Sequence, residues 1–221
     1  MPNKLHQTIK LLSAKTTEAK LLLLIFYSVG IIGLSNSFTH SLFLKLIPLA
    51  LLLSVLVLIP FHAIGSLKKI AAVYTFIYTF SFIIEVLGVN YGTIFGQYQY
   101  GAGLGIKLFN TPLIIGLNWL MLVYVSASVF DLFRMHVLLK IVLASASMVL
   151  YDILLEMLAP ALDMWNFSST QVPIKNYISW FIISLFLHSI LRISGISLRN
   201  KLAFTVFVVQ FLFFAILLFI L

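Results

Sequence analysis

The sequence has no cysteine in its 221 residues, which excludes disulfides, thiolate nucleophiles and cysteine-ligated metals together. Charge is nearly as scarce. Only 9% of residues are Asp, Glu, Lys or Arg, six of them acidic, against 62% hydrophobic. A water-soluble domain cannot cover its outside with so little charge, so the composition specifies a protein solvated by lipid. Metal-binding and cofactor signatures are missing too. His62, His136 and His188 are isolated from one another, no HxxxH, HxxE or ExxH spacing occurs, and no GxSxG or Walker element is present. The GxGxG of Gly101, Gly103 and Gly105 lacks the βαβ setting of a dinucleotide loop. Neither a metal nor a cofactor is therefore expected. There is no internal repeat, linker or low-complexity tract, so residues 1–221 are read as one domain.

What the chain has in abundance is apolar runs. A spanning helix needs about 20 such residues, and seven segments qualify: 19–35, 42–60, 70–88, 112–130, 137–159, 177–194 and 202–221. The expected fold is all-α, a polytopic transmembrane helical bundle. The seventh segment holds no lysine, which rules out a retinal Schiff base of the microbial rhodopsin kind. The net charge of +8 is spread through short loops and helix ends, the pattern of topogenic charge rather than of a nucleic-acid surface. With a cytoplasmic N-terminus, eleven of the fourteen Lys and Arg fall on the cytoplasmic side, and only Lys45, Lys107 and Lys175 fall opposite. That bias predicts seven spans, N-terminus cytoplasmic and C-terminus extracytoplasmic, with 1–18 as a basic cytoplasmic tail. No small-residue cleavage site follows the first apolar run, so no cleaved signal peptide is expected.

The segment from Glu85 to Trp119 breaks the apolar pattern with seven glycines and with Tyr91, Phe95, Tyr98 and Tyr100. Irregular backbone at membrane depth is tolerated only where protein or a wet cavity covers it, so this connection, centred on 89–111, is expected to cap or line a site. In the predicted topology Glu85, Asp152, Glu156 and Asp163 gather in one leaflet, leaving Glu18 and Asp131 as solvated acids near the other. Asp152 and Glu156, four apart, share one helix face. Two like charges in hydrocarbon repel and are costly to desolvate, so at least one of the pair is expected to hold a proton. Intramembrane acids are functional by default, although the pair can also be read as structural, bonded to neighbouring helices. Tyr74, Tyr78, Ser81 and Glu85 form a polar stripe at spacings of 4, 3 and 4, which suits either a substrate groove or hydrogen bonds between helices. Trp119, Trp165 and Tyr177 adjoin Asn118, Asn166 and Asn176, with Trp180 a turn beyond. Their rings serve as an interfacial belt or as walls able to stabilise a cation.

The run Glu85-x-x-Gly88, Gly92-x-x-Phe95-Gly96-x-Tyr98-x-Tyr100, Leu104-Gly105, Pro112 and Trp119 resembles the core motif of the carotenoid biosynthesis membrane protein family that includes the carotenoid 1,2-hydratases and bisanhydrobacterioruberin hydratase. A second block, Asp152 with Glu156, Trp165, Val172-Pro173 and Asn176 with Trp180, is similar to that family's carboxylate, tryptophan and VP…N…W pattern. The resemblance covers about Tyr74 to Trp180. Two departures stand out: Met157 replaces a proline often found after the second carboxylate, and Trp165-Asn166-Phe167 replaces a W-x-W pair.

The resemblance implies a cofactor-independent hydro-lyase that adds water across the terminal double bond of an acyclic carotenoid end group. Protonation gives a tertiary carbocation, which water captures. In that scheme Asp152 and Glu156 are the acid and its partner, and Glu85 is the base that orients water. Trp119, Trp165 and Trp180 face the cation, while Tyr78, Phe95, Tyr98, Tyr100, Asn118 and Asn176 complete the substrate site. The implied partners are a lipophilic carotenoid, membrane lipid and water, with no nucleic acid, in a multi-pass protein of a cell membrane of the bacterial inner-membrane kind. Two other readings use the same residues. A proton-coupled transporter would need a water path to both faces, whereas the predicted cytoplasmic half is nearly free of acids. A non-catalytic carotenoid-binding protein would tolerate loss of the acids.

Overall fold

The computed structural model describes residues 14–63 and 65–221. The basic tail expected over 1–18 lies outside the described residues up to residue 13, and the first helix begins within its remainder. Among the described residues, seven helices are each long and apolar enough to cross a membrane: α1 (Thr16–Ser35), α2 (His40–Leu58, continued by a short 3₁₀ turn, Ile59–Phe61), α3 (Leu67–Tyr91), α4 (Leu113–Asp131), α5 (Val137–Leu158), α6 (Ile174–Ile193) and α7 (Ala203–Ile220). The seven expected spans are present, with ends shifted by at most a few residues. Leucine, isoleucine, valine and phenylalanine dominate them on every side, as suits helices that face lipid on one side and each other on the rest. The α1–α2, α2–α3 and α4–α5 connections are short, as suits antiparallel neighbours.

One helix is unlike the others. In α4, 72% of the most apolar stretch is buried, against 33% or less in the other six. It runs through the middle, packed on α2, α3, α5, α6 and α7, so the bundle is built around it. At the end away from the glycine-rich segment, His62 bridges to Asn200, and the Asn200 side chain donates to the Leu58 carbonyl at 2.8 Å. These bonds tie the α2–α3 connection to the α6–α7 connection.

At the opposite end the long α3–α4 and α5–α6 connections meet. The expected irregular cap contains a small antiparallel sheet: β1 (Tyr98–Tyr100) pairs with β4 (Trp165–Phe167), placing Tyr98 opposite Phe167 and Tyr100 opposite Trp165. A second short ribbon joins β2 (Lys107–Leu108) to β3 (Thr111–Pro112). Gly92 ends α3 in the left-handed conformation, φ 64°, that residues with a side chain rarely adopt. Close approach explains two further glycines. A Cβ on Gly88 would come within 2.5 Å of the Phe95 ring, and one on Gly101 within 2.3 Å of the Asp163 backbone oxygen. Asp163, expected at the same end as Glu85, Asp152 and Glu156, is exposed and holds the cap, its Oδ2 accepting from the Ala102 amide at 3.0 Å.

Candidate active site

The site forms where the cap closes over α3, α4, α5 and α6. Strand alternation positions the first half of it. In Tyr98-Gln99-Tyr100 both tyrosines point into the protein and Gln99 points out, and in β4 Trp165 is buried while Asn166 is exposed. Both phenols reach one carboxyl oxygen. Tyr98 and Tyr100 each donate to Glu85 Oε2 at 2.7 Å, and from α4 the Trp119 indole N–H donates to Oε1 at 2.8 Å. Burial, followed by the Glu85 carboxyl group, pushes both phenols well above the usual tyrosine range, so they remain O–H donors.

Helical spacing positions the second half. Asp152 and Glu156 project from α5 one turn apart and meet Asn176 at the start of α6. One amide nitrogen serves both, since Asn176 Nδ2 donates to Asp152 Oδ2 at 2.8 Å and to Glu156 Oε1 at 3.1 Å. The Trp165 indole donates to the remaining Glu156 oxygen at 2.8 Å. Pro173 caps the start of α6, where a missing N–H leaves no helical bond unmade, and Asn176 N–H closes on the Pro173 carbonyl at 2.8 Å, which fixes where the residue sits.

The donor count separates the three acids. A carboxylate offers roughly four acceptor sites. Glu85 has three occupied, and Glu156 has one on each oxygen. Among the described residues Asp152 has a bond only on Oδ2, and its buried Oδ1 has no partner. All three acids line one cavity, with Phe95, Tyr98, Tyr100, Trp165, Phe167 and Trp180 as its aromatic wall and Ile115 and Asn176 completing it. It leaves about 20 Å³ for the centre of a water molecule. About 10–15 Å³ of such space holds one water, so the cavity has room for about one.

Most of the expected site residues come together here: Glu85, Asp152, Glu156, Phe95, Tyr98, Tyr100, Trp165, Asn176 and Trp180 line the cavity. Trp119 stands just behind it, stacked on Trp180 with ring centroids 4.0 Å apart. Two lie elsewhere. Tyr78 donates to the Leu113 carbonyl at 3.0 Å, between helices, and Asn118 is buried on α4 away from the wall. The polar stripe of α3 divides accordingly: Ser81 returns its hydroxyl to Ile77 of its own helix at 2.7 Å, and Tyr74 packs against Tyr124, with ring centroids 5.7 Å apart. Asp131, expected to be merely solvated, pairs with Lys140 at 2.9 Å and Arg192 at 2.7 Å. Phe167 and Ile115 were not foreseen in the wall. The alternation of Trp165-Asn166-Phe167, matching that of Tyr98-Gln99-Tyr100, was the available signal for Phe167.

Seven apolar helices, four of which with the cap line a buried carboxyl cavity, define a multi-pass membrane protein. The family model for carotenoid biosynthesis proteins matches residues 45–221, and the chain belongs to that family. The match covers α3 to α7 and both connections that build the cap. No curated protein and no solved structure matches the chain. Membership suggests an enzyme role and a lipophilic carotenoid substrate.

Proposed function

We propose that the protein is a carotenoid hydratase, adding water to the terminal carbon–carbon double bond of an acyclic carotenoid end group. The observation that carries this reading is the convergence of three carboxyl groups on an aromatic-walled cavity with room for about one water, one of those groups having an unpartnered oxygen.

The donor pattern suggests the roles. Glu85 and Glu156 accept at both oxygens and so sit in surroundings made for carboxylates. Asp152 Oδ1 is free to carry a hydrogen, so Asp152 is the general acid. Its O–H proton passes to the CH carbon of the alkene, the π electrons form the new C–H bond, and positive charge develops on the tertiary carbon. The Trp165 and Trp180 rings and the Glu85 carboxylate stabilise that charge. Glu85 keeps one acceptor site for the water. The water's oxygen bonds to the cation and its proton is released to the carboxylate cluster. Glu156, which shares the Asn176 amide with Asp152, returns a proton to Asp152. One water is consumed and no proton is gained or lost overall. An isopropylidene end group is larger than one water, so its entry requires the aromatic wall to part.

On this reading the protein works in a cell membrane, with the cap end extracytoplasmic as the charge bias suggests. The proton-relay alternative draws on one feature, the α6 stripe of Asn176, Trp180, Ser184 and His188, in which His188 is buried between Ser126 and Ser145 at 2.9 and 3.1 Å. Pigment analysis separates the two. In bacteria accumulating lycopene, expression of the chain should yield a product heavier by one water, absent with Asp152→Asn. Unchanged pigment across a set of acyclic carotenoids, with the protein present in the membrane, would sink the hydratase reading.

A further inference from the structure

A second and much larger cavity lies between α1, α2 and α7. It leaves about 260 Å³ for the centre of a water-sized sphere, more than ten times the space of the acid cavity. Its mouth is formed by Val29, Leu49 and Leu53, which are 50%, 48% and 42% exposed, so it opens sideways toward lipid. One end is closed by Leu162 and Met164, in the connection that leads directly to Trp165 of the acid cavity. The groove and the acid cavity thus share a wall segment.

The groove is apolar except at its floor, where hydrogen-bond demands do not balance. Ser54 Oγ donates to the Ala50 carbonyl at 2.7 Å, so in the 2.7 Å contact between Tyr27 and Ser54 the phenol is the donor. Both hydroxyl hydrogens are therefore committed. Gln210, 2% exposed, gives its amide N–H to Met121 Sδ at 3.5 Å, a weak acceptor, and the Tyr27 phenol lies within reach of the same side chain. The Gln210 carbonyl oxygen has no partner. A buried acceptor left unmet is costly, and the same site filled by a matching donor recovers that cost. A plain acyl chain would fill the volume and leave the oxygen orphaned.

We infer that this groove binds a long acyclic polyene through a terminal hydroxyl, which donates to Gln210 Oε1 while the hydrocarbon lies along α1 and α2. The identity of that ligand rests on the proposed hydration: its product is a tertiary alcohol at the tip of an apolar chain, formed behind the wall segment that the groove shares. The groove then holds a product, or a substrate whose first end is already hydrated.

The test uses the Asp152→Asn protein in lipid nanodiscs, so that neither probe is turned over. The probes are lycopene and its 1-hydroxy-1,2-dihydro derivative, with binding read from induced circular dichroism of the polyene. The alcohol should bind about tenfold more tightly than the hydrocarbon, the difference expected of one buried hydrogen bond. Adding Gln210→Leu should bring the alcohol down to the hydrocarbon's affinity. Adding Leu49→Trp, which fills the groove from its exposed mouth, should abolish binding of both. Equal affinities with Gln210 in place would overturn the inference, as would selectivity that survives Gln210→Leu, or alcohol binding that survives Leu49→Trp. Hydration of lycopene by the unsubstituted protein is scored separately. Selective binding without hydration would sink the hydratase reading alone, and hydration without selective binding would sink the groove alone.

Discussion

The two ends of the bundle treat buried acid in opposite ways. At the end of α4, Asp131 is neutralised by cations, with Lys140 and Arg192 both on its Oδ1. At the cap, Glu85, Asp152 and Glu156 receive only neutral donors among the described residues: two phenols, two indoles and one amide. Lys107, in the cap itself, spends its ammonium group on the Tyr100 carbonyl. A cation beside a carboxyl group holds it as a permanent anion, which suits anchoring. Neutral donors orient a carboxyl group without supplying the opposite charge, and they leave it able to hold and pass a proton. The first arrangement is structural, and the second is suited to acid–base chemistry.

The sharpest break in this contrast is Asp152→Asn. It preserves shape and the Asn176 contact region but removes the one carboxyl group with an unpartnered oxygen, so hydration should fall by about 10²–10⁴-fold, the usual worth of a general acid, with little change in melting temperature in detergent. Full activity would remove Asp152 from that role. Asn176→Leu comes next. Deleting the amide leaves Asp152 with no donor and Glu156 with the Trp165 indole alone, and a loss of at least tenfold in turnover is expected, together with destabilisation of about 1–3 kcal/mol measured by denaturation. Tyr100→Phe removes one of three donors to Glu85 and should cost about 1 kcal/mol. Combined with Tyr98→Phe, which strips Glu85 Oε2 of both partners, the loss of activity should exceed the product of the single effects. Independent effects in a double-mutant cycle would argue that the phenols do not act on a shared carboxyl group. At the other end, Lys140→Ala should change stability by no more than about 1 kcal/mol, because the pair is partly exposed and screened, and should leave the pigment profile unaltered. A large loss of hydration there would erase the distinction between the two ends.

Much of the cavity was legible beforehand because its residue types are rare in this chain. Six acids and three tryptophans among 221 residues leave few ways to build a polar site in hydrocarbon, and the four-residue spacing of Asp152 and Glu156 announces a shared face. Tyr78 makes the bond between helices, one of the two uses its stripe suited, for an instructive reason. Periodicity placed it with Glu85 on α3, but a helix face touches different neighbours along its length, and at Tyr78 the neighbour is the start of α4, whose carbonyl takes the hydroxyl. Asp131 was misjudged because its partners, nine and sixty-one residues away, come from two other helices. The β1–β4 pairing escaped notice because strands of three residues carry too little pattern to stand out from a glycine-rich loop.

Sequence alone determined the lipid-facing class, the seven spans and the identity of the acids, because these depend on composition and local spacing, and hydrocarbon penalises unpaired charge wherever it falls. Only the tertiary structure decided that α4 would be the buried axis, that two tyrosines and an indole would converge on Glu85, and that Asp152 would be left with a free oxygen. Those outcomes depend on which side chains distant segments bring within hydrogen-bonding distance, which local spacing does not encode.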